Sequence, residues 1–408
     1  MFGSLPIRYL SRTEEIFATG QNFIGITLSL IGPLDVAAIS EAFDTLLRAH
    51  PVLAGQLEPA ADGRHQLVAD EYEHAGIWLD SDQLPDQSVA LVNLRVLAGE
   101  DRSEVTLYTH HAMADAHHQF ALLEELFGWY TDLVTGGPIG PVKAEPTPLS
   151  LEAVLAARGV EMQKKSGLER MFPAVFAYEL PPSRRNQDGD EPLPVQVPGA
   201  ECRLSRQDTK ELLDLCAAHR VSLNALLAAA ILLAEWRLRG TPHIPIPYVY
   251  PVDLRYFLTP PVGATESTNP LGMATYLAEI NSGSDVLSLA ADIVETFRSD
   301  LADGVIQQSL LHFQIQYSGN PPGLPDVVMM TQGGELPPVR TPPGLVVEKF
   351  TTEVLFASAA VIDMYSICTY DGQLLIEYHT HAAGIETYIA EIRDVLMGLP
   401  AQYKAVTD

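Results

Sequence analysis

The chain is short of basic residues, of cysteine and of long apolar runs, and each shortage closes off a class of protein. Its 25 lysines and arginines face 52 aspartates and glutamates over 408 residues, a formal net charge of −27. A nucleic-acid-binding protein needs a basic face to displace phosphate counterions, and none is visible here. The same charge favours solubility and opposes non-specific adhesion to anionic membranes. The three cysteines, Cys202, Cys216 and Cys368, stand in apolar or helical contexts without a CxxC pair, so no disulfide framework is expected. The longest apolar stretch, Asn224 to Trp236, is too short to span a bilayer and reads as a buried helix. The opening "MFGSLPIRYLSRTEE" has no basic segment followed by an apolar core, so no signal peptide is expected. These absences point to a cytoplasmic enzyme with reduced thiols.

What is present is a large core. Hydrophobic residues make up 47% of the chain and charged residues 19%, and the length suits two domains or one large α/β unit. Ser11 followed by Glu14 forms a capping-box pattern at the head of a short helix. "FIGITLSLIG" reads as a strand. In "DVAAISEAFDTLLRAHP" Ala38, Ile39, Ala42, Phe43, Leu46 and Leu47 share one helical face, and Pro51 follows the end. "GRHQLVAD", "VALVNLRVLA" and "SEVTLYTHH" read as strands, and "HHQFALLEELFGWYTDLV" as an amphipathic helix. Residues 179–200, with five prolines and mixed charge between Glu179 and Gly199, read as a linker or crossover. The same grammar then repeats: helices around 203–219 and 222–238, a strand in "IPIPYVYPVDLRYF", a helix in "SDVLSLAADIVETFRSDLADG", late strands from Val347 and a closing helix. Residues 319–325 and 337–344 are proline-rich loops. The expectation is two α/β domains, 1–178 and 201–408, with mixed sheets flanked by helices and a ligand cleft between them.

"LYTHHAMADAHH", residues 107–118, concentrates four of the twelve histidines within nine residues, with one aspartate. Strand alternation sends His110 and His111 to opposite faces, which argues against a shared metal ion, and neither HExxH nor a nearby cysteine pair occurs. No metal and no cofactor are expected. An imidazole suits general-base work on a hydroxyl, because it titrates near neutrality. No GxSxG elbow occurs. Cys216 and His219, one helical turn apart, read as a core thiol beside a surface imidazole, so a covalent acyl-enzyme is unsupported. A backbone N–H near the motif and the side chain of Asn269 in "STNPLG" are candidate donors to an oxyanion.

"HHAMADA" resembles the HHxxxDG signature of an acyltransferase superfamily. That superfamily includes condensation domains of nonribosomal peptide synthetases and chloramphenicol, carnitine and wax-forming acyltransferases. "AFDTLLRAHPVLAGQLE", "SLNALLAAAILLAEWRLR", "TPHIPIPYVYPVDLR" and "GVIQQSLLHF" extend the resemblance over nearly the whole chain, towards the polyketide-associated acyltransferases. The resemblance implies two chloramphenicol-acetyltransferase-like domains with the active site at their interface. It makes His111 the general base and His110 a structural neighbour, and it pairs Asp115 with Arg255 of "PVDLR" to hold the loop. From the residues alone, Arg255 paired with Asp253 stays open. It implies direct transfer of long multimethyl-branched mycocerosyl chains from a polyketide-synthase carrier domain or coenzyme A to the hydroxyls of a long-chain diol. The expected enzyme is a monomer, with peripheral membrane contact left open. Arg220, Arg237, Arg239 and Arg298 are candidate carrier-docking cations. Ala116 stands where the family has glycine, which a helical backbone would tolerate and a positive φ would not. His117 and His118 are expected to be helix N-terminal residues, exposed or capping, with a place lining the cleft as the alternative for His118. A non-catalytic lipid- or carrier-binding module is the alternative.

Overall fold

The computed structural model describes residues 5–69, 74–161, 163–182, 184, 190–312, 326–358 and 363–404. The first half runs β1 (Leu5–Tyr9), α1 (Arg12–Thr19), β2 (Phe23–Ile31), α2 (Val36–Ala49), β3 (Gln56–Pro59) and β4 (His65–Ala69). It continues with β5 (Trp78–Leu79), β6 (Val92–Leu97), β7 (Arg102–His110), α3 (Ala116–Val134), α4 (Leu151–Ala157) and α5 (Leu168–Val175). The crossover carries β8 (Asp190–Gln196) and β9 (Gly199–Arg203), and then come α6 (Arg206–His219), α7 (Leu223–Leu238), β10 (Ile246–Asp253) and β11 (Leu271–Ala278). Last are α8 (Val286–Ala302), α9 (Val305–His312), β12 (Val328–Glu335), β13 (Val346–Ser358), β14 (Asp363–Tyr370), β15 (Gln373–Thr380) and α10 (Ile385–Lys404).

Local signals account for the helix ends. Ser11 Oγ accepts the Glu14 N–H while Glu14 Oε2 accepts the Ser11 N–H at 2.8 Å, a closed capping box on α1. Asp35 caps α2, which buries Ile39, Ala42, Phe43 and Leu46, with Leu47 and Ala38 at the margin. That stripe meets Leu122, Leu123, Leu126 and Phe127 of α3 and the inward residues of β2 and β7. Each fully buried aliphatic or aromatic side chain there contributes about 1.5–3 kcal/mol. Helix α7 is apolar on every side and buried from Ala225 to Glu235, as a helix in the middle of a core must be. Among the described residues no single helix is long and apolar enough to cross a membrane.

Two six-stranded mixed sheets organise the molecule, in the orders β5-β6-β7-β2-β13-β8 and β11-β10-β12-β14-β15-β9, beside a small β1-β4-β3 sheet. The first sheet crosses the expected division at residues 179–200, while the strands of the second sheet all begin at Gly199 or later. β13, from the second half, pairs antiparallel with β2 along its length, Phe350 opposite Leu28 and Leu355 opposite Phe23. In the other direction, α4 and α5 of the first half pack on β10, β11 and α9. Each lobe thus completes its core with elements of the other half. The proline-rich segment 319–325 lies outside the described residues, and 337–344 is a loop without regular structure.

The crossover is fastened to the second lobe by a buried charge cluster. Arg184 contacts Glu235 at 3.2 Å, Asp363 at 3.1 Å and Asp326 at 3.3 Å, with its guanidinium over the Tyr388 ring. Tyr365 donates to Glu235 at 2.6 Å, Tyr378 donates to Asp363, and Arg239 reaches Glu235 at 3.0 Å. Removing the central carboxylate would leave two guanidinium groups short of their counter-charge. Glu235→Ala is expected to destabilise the protein by about 3–5 kcal/mol, read as a lowered urea midpoint.

Candidate active site

Strand β7 ends in His110, and the chain then turns through residues 111–114 into α3. His110 is fully buried. Its Nε2 faces Gln87 Oε1 at 2.8 Å while its Nδ1 accepts the Ala112 N–H at 3.1 Å, and its ring stands edge-on to Phe23. Burial lowers its pKa to about 3, so it is a neutral strut.

His111 points the other way. Its backbone N–H donates to Asn22 O at 2.8 Å, and Phe17 of α1 stacks on the imidazole at 4.3 Å and 16°. Asn269 holds it at two points. The amide nitrogen donates to His111 O at 2.6 Å, which turns Oδ1 towards the ring, 3.1 Å from Nδ1. An amide oxygen only accepts, so Nδ1 carries the proton and Nε2 keeps its lone pair. Burial lowers the His111 pKa below the ordinary imidazole value, against the opposing pull of its own backbone, Asp115 and Asn269. The ring remains half-buried, within reach of a ligand.

Asp115 caps α3 by accepting the His118 N–H at 2.9 Å. The same carboxylate takes a two-point contact from Arg255, Nη1 to Oδ2 at 2.6 Å and Nη2 to Oδ1 at 3.1 Å, with both side chains only 4% exposed. The alternative partner Asp253 is present as well, at 3.3 Å, and carbonyls of Gly263 and Ala264 take the remaining donors. Ala116 is the first residue of α3 and therefore helical, so the family's glycine is dispensable at this point.

Three consecutive residues of the second half, Ser267, Thr268 and Asn269, knit the site together. Ser267 O accepts from His118 Nδ1 at 3.2 Å, and Thr268 O accepts the Asp115 N–H at 3.0 Å. Thr268 Oγ1 donates at 2.9 Å to Glu14, which Arg8 also grips at 2.6 and 2.8 Å. One expectation changes here. His118 is fully buried, because the 267–269 loop closes over the start of α3, and burial lowers its pKa to about 4. Asn269 has both ends of its amide in contact with His111, so it orients the ring, and the second N–H of its amide nitrogen is not used in that contact. His117 stays half-exposed against Asp253 at 3.1 Å. Cys216 is a buried core thiol, and His219 is an exposed imidazole against Tyr403.

The four candidate docking arginines separate. Arg220, at the left-handed end of α6, and Arg298 on α8 are exposed, and Arg237 pairs with Glu391 at 2.8 Å near the surface. Arg239 leaves the group. It is largely buried against Glu235 and the Asp326 carbonyl, which the Glu235–Arg239 spacing of one helical turn permits.

Over nearly its whole length the chain is similar to members of one family. A family model described as phthiocerol/phthiodiolone dimycocerosyl transferase C-terminus matches residues 193–379. A Mycobacterium tuberculosis phthiocerol/phthiodiolone dimycocerosyl transferase is 48% identical over 417 residues, 99% of each chain. The structure of polyketide synthase associated protein 5 from Mycobacterium tuberculosis superposes with a TM-score of 0.90 at 48% identity, covering 98% of this chain and 100% of that one. The first condensation domain of the CDA synthetase shares the fold alone, with a TM-score of 0.66 at 14% identity and 97% coverage of both chains.

Truncating Asp115 would strand a buried guanidinium and uncap α3. Asp115→Ala is expected to cost about 3–5 kcal/mol in urea unfolding, and Asp115→Ala with Arg255→Met is expected to cost less than the two single losses summed.

Proposed function

The chain belongs to the phthiocerol/phthiodiolone dimycocerosyl transferase family and is an acyltransferase, and on that premise we propose that His111 is the general base of O-acyl transfer to a long-chain diol. The donor in this reading is a multimethyl-branched mycocerosyl thioester on a polyketide-synthase carrier domain or on coenzyme A. The acceptor is phthiocerol or phthiodiolone. His111 Nε2 takes the hydroxyl proton as the oxygen attacks the thioester carbonyl. The tetrahedral intermediate collapses with cleavage of the C–S bond, and the proton passes from His111 to the departing thiolate. Asp115 and Arg255 hold the loop without touching substrate, His110 braces it, and Asn269 keeps the proton on Nδ1. The observation that carries the reading is the Asn269–His111 contact, which presents a neutral imidazole with its Nε2 lone pair free. Arg220, Arg237 and Arg298 are the carrier-docking cations in this reading. The enzyme acts as a monomer in the cytoplasm, peripheral to the inner face of the membrane.

Thiol release from a long-chain acyl coenzyme A in the presence of a long-chain alcohol tests it. His111→Ala is expected to lose at least roughly a hundredfold in turnover while keeping a native circular dichroism spectrum. Equal activity of the two proteins would assign the base elsewhere.

Protonation of Nε2 abolishes the base, and burial lowers its pKa, so activity should hold as pH falls through 6.5 and decline only below it. The acid limb of a kcat/KM profile checks this. Asn269→Ala is expected to lower kcat more than it changes KM. Arg220→Glu and Arg298→Glu are expected to slow transfer from a carrier-bound donor severalfold and to leave coenzyme A donors unchanged, and equal loss with both donors would remove the docking role.

A further inference from the structure

The loop that orients His111 is held from outside as well as from inside. Between Arg255 and Asn269 the chain runs through Pro260 and Pro261. These have no N–H to donate, so at both positions the backbone is fastened by its carbonyls alone. On the inner side Arg255 takes the carbonyls of Gly263 and Ala264, at 3.4 and 2.9 Å. On the outer side stands Arg158, which caps the end of α4. Its Nε donates to Pro260 O at 2.8 Å, and its Nη2 donates to Pro261 O at 3.1 Å and to Glu266 Oε1 at 3.0 Å. The other oxygen of that carboxylate, Glu266 Oε2, accepts the Gly263 N–H at 2.8 Å. Two guanidinium groups thus grip one loop between them, and the inner one is also the partner of Asp115.

Helix α4 is itself firmly placed. Just before it, the Leu149 N–H donates to Glu266 O at 2.8 Å, and Leu149 O accepts the Thr268 N–H at 2.9 Å and the Ser267 hydroxyl at 2.8 Å. In its first turn Glu152 accepts from the N–H and the hydroxyl of Thr13, at 3.0 and 2.9 Å. Thr13 lies one turn before Phe17 on α1, and Phe17 is the ring that stacks on His111. Leu151, Val154 and Leu155 join the core that includes Leu258 and Val262. The helix is therefore a splint laid along both supports of the imidazole, and Arg158 is where it takes hold of the 260–266 loop. The Arg158 side chain is 6% exposed and that of Glu266 39%. An ion pair with one open partner adds little net stability. The contribution of Arg158 is positional, a planar fork of donors that fixes two adjacent carbonyls.

We propose that Arg158 is a positioning residue of the reaction: by fixing the 260–266 loop from outside it sets where Asn269 stands and, through Asn269, the tautomer and aim of His111. The inference rests on the general-base reading above. Among the described residues the hydrogen bonds of Arg158 run to the loop and to α4, and none to the histidine motif. Without the fork, the loop keeps Arg255 and Leu149 and loses its outer support. The 267–269 segment then stays near His111, but its amide is free to drift from the 3.1 Å contact that keeps Nδ1 protonated. Small misplacements of a reacting group act steeply on rate and leave substrate affinity nearly untouched, so the role has its signature in kcat.

The variants that test it are Arg158→Met, which keeps the apolar stem and removes the fork, Arg158→Lys, which returns a single point donor, and Arg158→Met joined with Asn269→Ala. In the thiol-release assay Arg158→Met is expected to lower kcat roughly tenfold and to change KM by less than about twofold. Arg158→Lys is expected to recover part of that loss. The double variant is expected to be no slower than Asn269→Ala alone, because the two residues act in series. A second readout needs no turnover. It is the long-range proton–nitrogen spectrum of the full chain carrying isotope-labelled histidine, with the His111 signals assigned by their loss in His111→Gln. Wild type is expected to show Nδ1 protonated, and Arg158→Met a mixture of tautomers at a urea midpoint close to that of wild type. If the methionine variant does not fold, Arg158→Lys gives the same two readouts at reduced size. A wild-type kcat with a single tautomer in the variant overturns the proposal. So does a double variant whose two losses multiply, because the arginine would then act independently of Asn269. A tautomer that depends on Arg158, in a wild-type protein that releases no thiol from any long-chain donor, upholds the positioning role and overturns the general-base reading.

Discussion

Everything at the site hangs on one buried ion pair. Asp115 and Arg255 come from different halves of the chain, 140 residues apart, and meet through two hydrogen bonds where water has almost no access. Such a pair is expensive to desolvate and adds little net stability against a well-packed apolar alternative. Its value is geometric. A carboxylate that caps α3 and simultaneously receives a fork of guanidinium donors admits very few positions for the loop between β7 and α3. The 267–269 loop, which follows Arg255 in the chain, then meets that loop along its length, contacting His118, Asp115 and His111 in turn.

The consequence for the base is electrostatic as well as positional. A carboxylate hydrogen-bonded directly to His111 would favour the imidazolium form and hold the proton too firmly. Here the ring touches a neutral amide, and the nearby negative charge of Asp115 is already matched by Arg255. The imidazole is therefore oriented without being charged. Phe17 covers one ring face of the imidazole whose tautomer Asn269 fixes.

Much of this was legible in the residues. The α2 and α3 stripes, the Ser11–Glu14 box and the strand into His110 follow from periodicities of 3.6 and 2 and from capping chemistry, which are local. The motif histidine and aspartate, and the arginine after β10, were identified through resemblance, and the geometry brings them together. What was not legible is non-local. No pattern within "STNPLG" announces that Asn269 will face a histidine 158 residues earlier. His118 looked like a polar helix-start residue, and its burial comes from the 267–269 loop folding over it. The pairing of β13 with β2 joins residues more than 300 positions apart, and strand alternation says which face is buried but not which partner is chosen.

That exchanged strand has a consequence for the order of synthesis. Until residues 346–358 have been made and released, the first sheet lacks the strand that lies between β2 and β8, and β2 presents an open row of backbone donors and acceptors. An exposed inner edge rich in isoleucine and leucine is a template for unwanted pairing. The amino-terminal lobe therefore cannot mature on the ribosome as a separate unit. Its core closes only when most of the carboxy-terminal lobe exists, so the nascent chain must be shielded for nearly its whole translation, and the two lobes share a single folding event.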